Sequence, residues 1–169
     1  MYNNQRIIKE LKPYIPAADI FRIYEKEAGC AFLDSSLVND LGRYSIIGRA
    51  PYLKLVKDGD AFTVNGKPET GKTFEDYMRE YLNTHEDKNE CPLPIVSGAI
   101  GYFSYDYGRE QMGVPTGEKD LVTIPEAVLT FYDCFIVEDC REKRTYESNR
   151  CGKDRKWNYS NQGIHRKMA

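Results

Sequence analysis

The run Ala127 to Val137, AVLTFYDCFIV, constrains this chain more than any other stretch. It is apolar, β-branched or aromatic almost throughout and lacks the polar alternation of a half-exposed strand. It therefore reads as a strand covered on both faces at the centre of a sheet. Asp133 interrupts one face and requires a partner if it is buried. A central strand needs neighbours, and the sequence offers them as short runs divided by turn chemistry. Cys30 to Leu33 and Arg43 to Gly48 are two apolar runs joined through Asp34, Ser35, Ser36, Asn39, Asp40 and Gly42, which predicts a strand, a loop and a returning strand. After Pro51, Tyr52 to Lys57 alternates over part of its length, Asp58-Gly59 offers a hairpin turn, and Ala61 to Val64 returns ahead of Asn65-Gly66.

Two helices fit the intervals. One starts at Pro16, presents Ile20, Phe21, Ile23 and Tyr24, and stops at Gly29. The other is capped by Thr73, with Asp76 three residues on, and carries a core-facing stripe of Phe74, Tyr77, Met78, Tyr81 and Leu82. Ile7, Ile8 and Leu11 form an earlier apolar group whose element is broken by Pro13 and Pro16. Glu86 to Pro94 reads as a polar loop, Ile95 to Asp106 as a strand, and Gly108 to Asp120 as a loop. Gly98 and Gly101 within that strand mark a bulge or a close approach of backbone or ligand. No Lys-Ser/Thr follows and no G-x-G-x-x-G forms, so a phosphate-cradling loop is set aside. The fold class is α+β, a mainly antiparallel sheet with two or three packed helices.

The 169 residues suffice for one domain with its own core. The formal charge of −2 gives no sign of a nucleic-acid partner, although residues 141–169 hold nine Lys/Arg against three Asp/Glu. Their basic residues are scattered, unlike those of a nucleic-acid arm. No run approaches membrane-spanning length and the first residues do not resemble a signal peptide, so a cytoplasmic location is expected. Five cysteines without a C-x-x-C pair and two distant histidines, His85 and His165, supply no metal-ligand cluster, and the thiols read as reduced and structural. Neither histidine is placed as a general base, and Glu25 and Glu27 read as a solvated helix face.

Phe32 to Pro51 holds the densest polar chemistry. A returning strand brings Asp34 and Ser35 beside Arg43, Tyr44 and Ser45: a carboxylate, hydroxyls, a guanidinium and an aromatic face. Such a group can hold a small zwitterion, ammonium on carboxylate and carboxylate on donors. The competing reading is structural, with Asp34 and Arg43 as a surface ion pair of little worth and the serines finishing strands.

Phe32-Leu33-Asp34-Ser35, Gly42 to Gly48 and Pro51 resemble the N-terminal signature of the large, chorismate-using subunits of anthranilate synthase and aminodeoxychorismate (para-aminobenzoate) synthase. Ser97 to Asp106 is similar to a second motif of that family, in the right order. The resemblance covers roughly the first 145 residues. It implies an N-terminal domain that contributes to an aromatic amino-acid pocket, a tryptophan feedback site in one branch and a structural tryptophan site in the other. By position, Asp34 and Ser35 match the family's ligand-holding Glu/Ser pair, with Arg43, Tyr44 and Ser45 on the returning strand; Asp34 is shorter than the commoner Glu by one methylene. FLDSS followed by LGRYSIIG is more like the aminodeoxychorismate branch, which aminates chorismate for para-aminobenzoate and folate synthesis. Anthranilate synthase component I, with its tryptophan feedback site, is the alternative.

The motifs of the family's second, catalytic domain do not occur here. The resemblance assigns to that domain the chorismate pocket, the magnesium carboxylates and the acid/base residues. No catalytic or metal residue is therefore named, and no cofactor is expected in this chain. Possible partners are a glutamine amidotransferase subunit, a separate chorismate-binding domain and tryptophan. The second domain closes the pocket in full-length relatives, so tryptophan binding by this chain is expected to be weak or absent. A free-standing binding module and half of a split enzyme are the other two readings. Residues 1–146 are expected to form the family-like domain and 147–169 an atypical basic tail. Lys153 to Ala169, written in permitted codons, reads in another frame as an amphipathic helix, so the tail is expected to be frameshifted and the chain truncated.

Overall fold

The computed structural model describes residues 6–39, 41–87, 89–114 and 124–150. In chain order the elements are β1 (Arg6–Leu11), α1 (Ala17–Tyr24), β2 (Ala31–Leu33), β3 (Tyr44–Asp58), β4 (Ala61–Val64), β5 (Lys67–Pro68), α2 (Phe74–Thr84), β6 (Ala99–Phe103), α3 (Tyr105–Gln111), β7 (Ala127–Asp139) and β8 (Arg144–Arg150). They form two compact units, the first drawing its described residues from 6–51, 87–98 and 132–150 and the second from 52–86 and 99–131. This is the α+β, antiparallel architecture expected from the turn and strand chemistry.

In the first unit β8 lies between β1 and β7, Ser148 standing opposite Ile8 on one side and Phe135 on the other. β2 returns on β3 with Phe32 opposite Ile47. The core joins Leu11, Ile15, Ile20, Tyr24, Ile47, Cys134 and Ile136. Helix α1 has no capping side chain of its own; the Glu138 carboxylate on β7 accepts the Ala17 N–H at 2.7 Å and the Tyr14 hydroxyl at 2.5 Å. An anion there satisfies a free N–H and meets the positive end of the helix. Burial and the Glu138 hydrogen bond both push the Tyr14 hydroxyl's pKa up.

Several local expectations change. α1 ends at Tyr24, five residues before Gly29, in turns closed by Glu27 N–H to Tyr24 O and Cys30 N–H to Glu27 O. Pro51 does not separate two strands, since β3 runs from Tyr44 to Asp58 with Ala50 at φ 52. Residues 147–150, read as the start of a patternless tail, are the second half of β8, with Glu147 and Ser148 buried. Polar side chains inside a core strand hide its pattern. Residues 151–169, and with them the frameshift expectation, lie outside the described residues.

In the second unit β3 pairs with β4, β4 with β5, and β6 with β7. Thr73 caps α2 as expected, its hydroxyl accepting the Asp76 N–H at 3.1 Å. Phe62 meets Phe74 and Tyr77 edge-on, and Tyr81 meets Phe131. Leu82 is the member of the stripe that faces outward, 50% exposed. Gly101 marks a close backbone approach, for a Cβ there would lie 1.9 Å from the Val128 carbonyl oxygen. Tyr105 and Asp106 leave the strand and open α3, and Gly108 lies within that helix rather than in a loop. The Ser104 hydroxyl accepts the Tyr107 N–H at 3.2 Å, a cap signal masked by the aromatic run around it.

Candidate functional site

The hairpin of β2 and β3 brings together the residues singled out from sequence. Ser35 donates its N–H to Ser45 Oγ at 3.0 Å and its hydroxyl to the Tyr44 carbonyl at 2.7 Å. The Ser45 hydroxyl donates to Asp34 Oδ1 at 3.0 Å. Ser45 is 1% exposed and Asp34 is exposed, so the hub is buried and the carboxylate faces outward. The connecting loop is shaped by Asn39, whose Oδ1 accepts the N–H groups of Leu41 and Gly42, both at 2.8 Å. Gly42 has no room for a side chain, since a Cβ would lie 2.4 Å from the Leu37 carbonyl oxygen.

Arg43 does not pair with Asp34. Its Nη2 and Nε donate to Asp139 Oδ2 at 2.5 and 3.0 Å, and its guanidinium lies 4.9 Å from the Tyr44 ring centroid. Asp139 is fixed from its other side, Oδ1 accepting the N–H groups of Arg141 and Glu142 at 3.1 Å each. The hydrogen bond from Arg43 holds the Asp139 carboxyl below its ordinary pKa despite burial, and the same bond pushes the Arg43 pKa up. Cys140 closes the group, its N–H donating to the Arg43 carbonyl at 2.9 Å and its Sγ lying 3.6 Å from Ser45 Oγ. Asp139 and Cys140 had no signal in the sequence beyond ending the apolar run, because the turn that carries them is distant in the chain.

Beside the hairpin lies a second polar group that sequence reasoning missed. Arg49 is 2% exposed and donates from Nη2 and Nε to Glu27 Oε2 at 2.6 and 3.1 Å, while its guanidinium stacks 3.3 Å from the Tyr24 ring centroid. Glu27 Oε1 accepts the Ala50 N–H at 3.2 Å, so the carboxylate holds the residue at positive φ together with its neighbour. Glu27 is therefore a clamp on β3, not part of a solvated helix face. Burial lowers the Arg49 pKa, but the Glu27 hydrogen bond and the charge interactions with Tyr24, Cys134 and Glu27 outweigh it and the net direction is up. The signal available in sequence was a charge, Arg49, following the apolar Ile46-Ile47-Gly48.

Cys134 and Glu147 face each other in the same core, Sγ to Oε1 at 3.9 Å. Burial pushes the Cys134 thiol up to about 12, with Glu147 adding to it. Cys30, Cys91 and Cys140 are also free thiols. Among the described residues, no group of three or more His, Cys, Asp or Glu side chains could hold a metal ion, and no helix is long and apolar enough to cross a membrane.

No family model matches the chain. In sequence it is similar to the anthranilate synthase alpha subunit 2, chloroplastic, of Arabidopsis thaliana, 32% identical over 120 residues, which cover 64% of this chain and 19% of that protein. It is similar also to the anthranilate synthase component 1 of Acetivibrio thermocellus, 27% identical over 132 residues, 71% of this chain and 26% of the relative. The chain thus spans about a fifth to a quarter of the length of these relatives. In fold it is similar to anthranilate synthase component I from Streptococcus pneumoniae TIGR4, with a TM-score of 0.54 at 18% identity over 98% of this chain and 35% of that one. The sequence likenesses are to anthranilate synthase subunits and do not single out the aminodeoxychorismate branch that FLDSS and LGRYSIIG suggested.

Proposed function

We propose that this chain is the amino-acid-binding, non-catalytic part of an anthranilate synthase component 1-type protein. The observation that carries the reading is the similarity to those proteins, over residues that include the hydrogen-bonded β2–β3 hairpin of Asp34, Ser35 and Ser45. The Asp34, Ser35 and Ser45 cluster is the binding element, with Arg43 and Tyr44 beside it, and tryptophan is its ligand. On this reading the conversion of chorismate belongs to a catalytic domain that also holds magnesium, with ammonia supplied by a glutamine amidotransferase subunit. This chain contributes regulation or structure to that assembly. The aminodeoxychorismate reading rests on FLDSS followed by LGRYSIIG. It would differ in the product made by the assembly, not in the role of this chain.

The test is a titration of the ¹⁵N-labelled chain with L-tryptophan, with L-alanine as control. Saturable shifts of the Asp34, Ser35 and Ser45 amides with tryptophan alone, at millimolar affinity, are expected. A folded chain whose amides do not respond would refute the reading.

A further inference from the structure

We infer that Asp139 is a positioning residue of the proposed amino-acid site: from the end of β7 it holds Arg43 by two nitrogens and thereby presents the third to the ligand's carboxylate. The inference rests on the aromatic amino-acid reading of the hairpin and adds to it a residue 96 positions away in the chain that touches no ligand. The two oxygens of Asp139 serve different partners. Oδ1 accepts the N–H groups of Arg141 and Glu142, and Oδ2 accepts Nε and Nη2 of Arg43. At 6% exposure, the carboxylate is an acceptor anchored on the β7–β8 turn. Cys140 ties the same turn to the hairpin, its N–H donating to the Arg43 carbonyl at 2.9 Å and its Sγ lying 3.6 Å from Ser45 Oγ. Residues 139 and 140 therefore hold both the backbone and the side chain of Arg43.

The grip leaves one edge of Arg43 available. Its side chain is 40% exposed, and among the described residues Nη1 donates no hydrogen bond. A guanidinium carries its donors in a rigid planar fork, so engaging Nε and Nη2 aims the remaining edge without consuming it. A freely rotating arginine loses its rotamer freedom when a ligand arrives, whereas Arg43 has lost it on folding. An ion pair between two mobile surface side chains would orient nothing. Asp34, Ser35, Tyr44 and Ser45 supply no cation, which makes Arg43 the member of the hairpin group that matches a carboxylate.

Titration of the ¹⁵N-labelled full chain with L-tryptophan tests this, following the Arg43 Nε–H signal beside the Ser35 backbone amide. In the parent both are expected to shift saturably with one affinity. Asp139→Asn is the discriminating variant, since its one amide oxygen serves the turn or Arg43 but not both. Asp139→Asn and Arg43→Ala are each expected to weaken tryptophan about tenfold, and the double variant to bind no more weakly than Arg43→Ala alone. Arg43→Lys keeps the charge and leaves Asp139 on its turn, so it reports even where Asp139→Asn does not fold; loss of the fork is expected to weaken tryptophan about tenfold as well. An Arg43 Nε–H signal unmoved by tryptophan that shifts the Ser35 amide, or losses that add in the double variant, would reduce the pair to a strand clasp and leave the amino-acid site standing. A folded parent in which neither signal answers tryptophan would remove the site and this inference with it.

Discussion

At the scale of the residue, two buried charges make this chain's stability depend on single atoms. Arg49 is almost wholly enclosed, and Glu27 is its carboxylate partner. Glu27→Ala would remove the carboxylate hydrogen bonds of that buried guanidinium and release the Ala50 N–H, at an expected cost of about 3 kcal/mol in urea unfolding. Glu147 works in the opposite direction. Burial raises its pKa above the ordinary value of 4.5, against the pull of Asn149 and Arg49. A carboxyl whose pKa rises on folding holds its proton more tightly in the native state, so stability falls as pH climbs from the unfolded pKa through the folded one. Glu147→Gln is therefore expected to match the parent's thermal midpoint near about pH 4 and to exceed it near about pH 8. An equal midpoint shift at both pH values would contradict this. Asp139 has the reverse sign: the Arg43 hydrogen bond lowers its pKa, so its contribution is present above the unfolded value and fades as pH falls through the folded one.

At the scale of the element, the two glycine and capping features can be tested separately. Gly101→Ala drives a Cβ into the Val128 carbonyl and should cost about 1–3 kcal/mol, with β6 parting from β7 before the other strands in hydrogen exchange. Glu138→Gln replaces one of two accepting oxygens with a donor, facing either the Ala17 N–H or the Tyr14 hydroxyl. A loss of about 1–2 kcal/mol is expected, with α1 the first helix to exchange its amides. These elements also show where sequence patterning succeeds. The apolar run at Ala127, the Thr73 cap and the Asp58-Gly59 turn follow from local chemistry, and the structure has all three. The end of α1, the continuity of β3 through Pro51 and the strand at 147–150 depend on partners elsewhere in the chain: Glu27 on Ala50, β1 and β7 on β8. Local patterning cannot find partners set by long-range pairing. The same division runs through the site. The Asp34, Ser35 and Ser45 contacts follow from a hairpin visible in sequence, whereas the capture of Arg43 by Asp139 does not.

At the scale of the whole molecule, binding and chemistry fall to different parts of the proposed assembly. The chain spans about a fifth to a quarter of the curated relatives it resembles. Among the buried charged side chains, Arg49, Glu138 and Asp139 are engaged in holding strands and a helix in place. The thiol of Cys134, pushed up to about 12, stays protonated at neutral pH and is no nucleophile. On the proposed function this chain binds an aromatic amino acid, and the conversion of chorismate belongs to a catalytic domain. The most direct measurement is chorismate consumption by the purified, folded chain with magnesium and ammonium, alone and mixed with a separately expressed catalytic domain of anthranilate synthase component 1. The account predicts no consumption by the chain alone, and turnover in the mixture only where that domain is present. Chorismate consumed by the chain alone would contradict it.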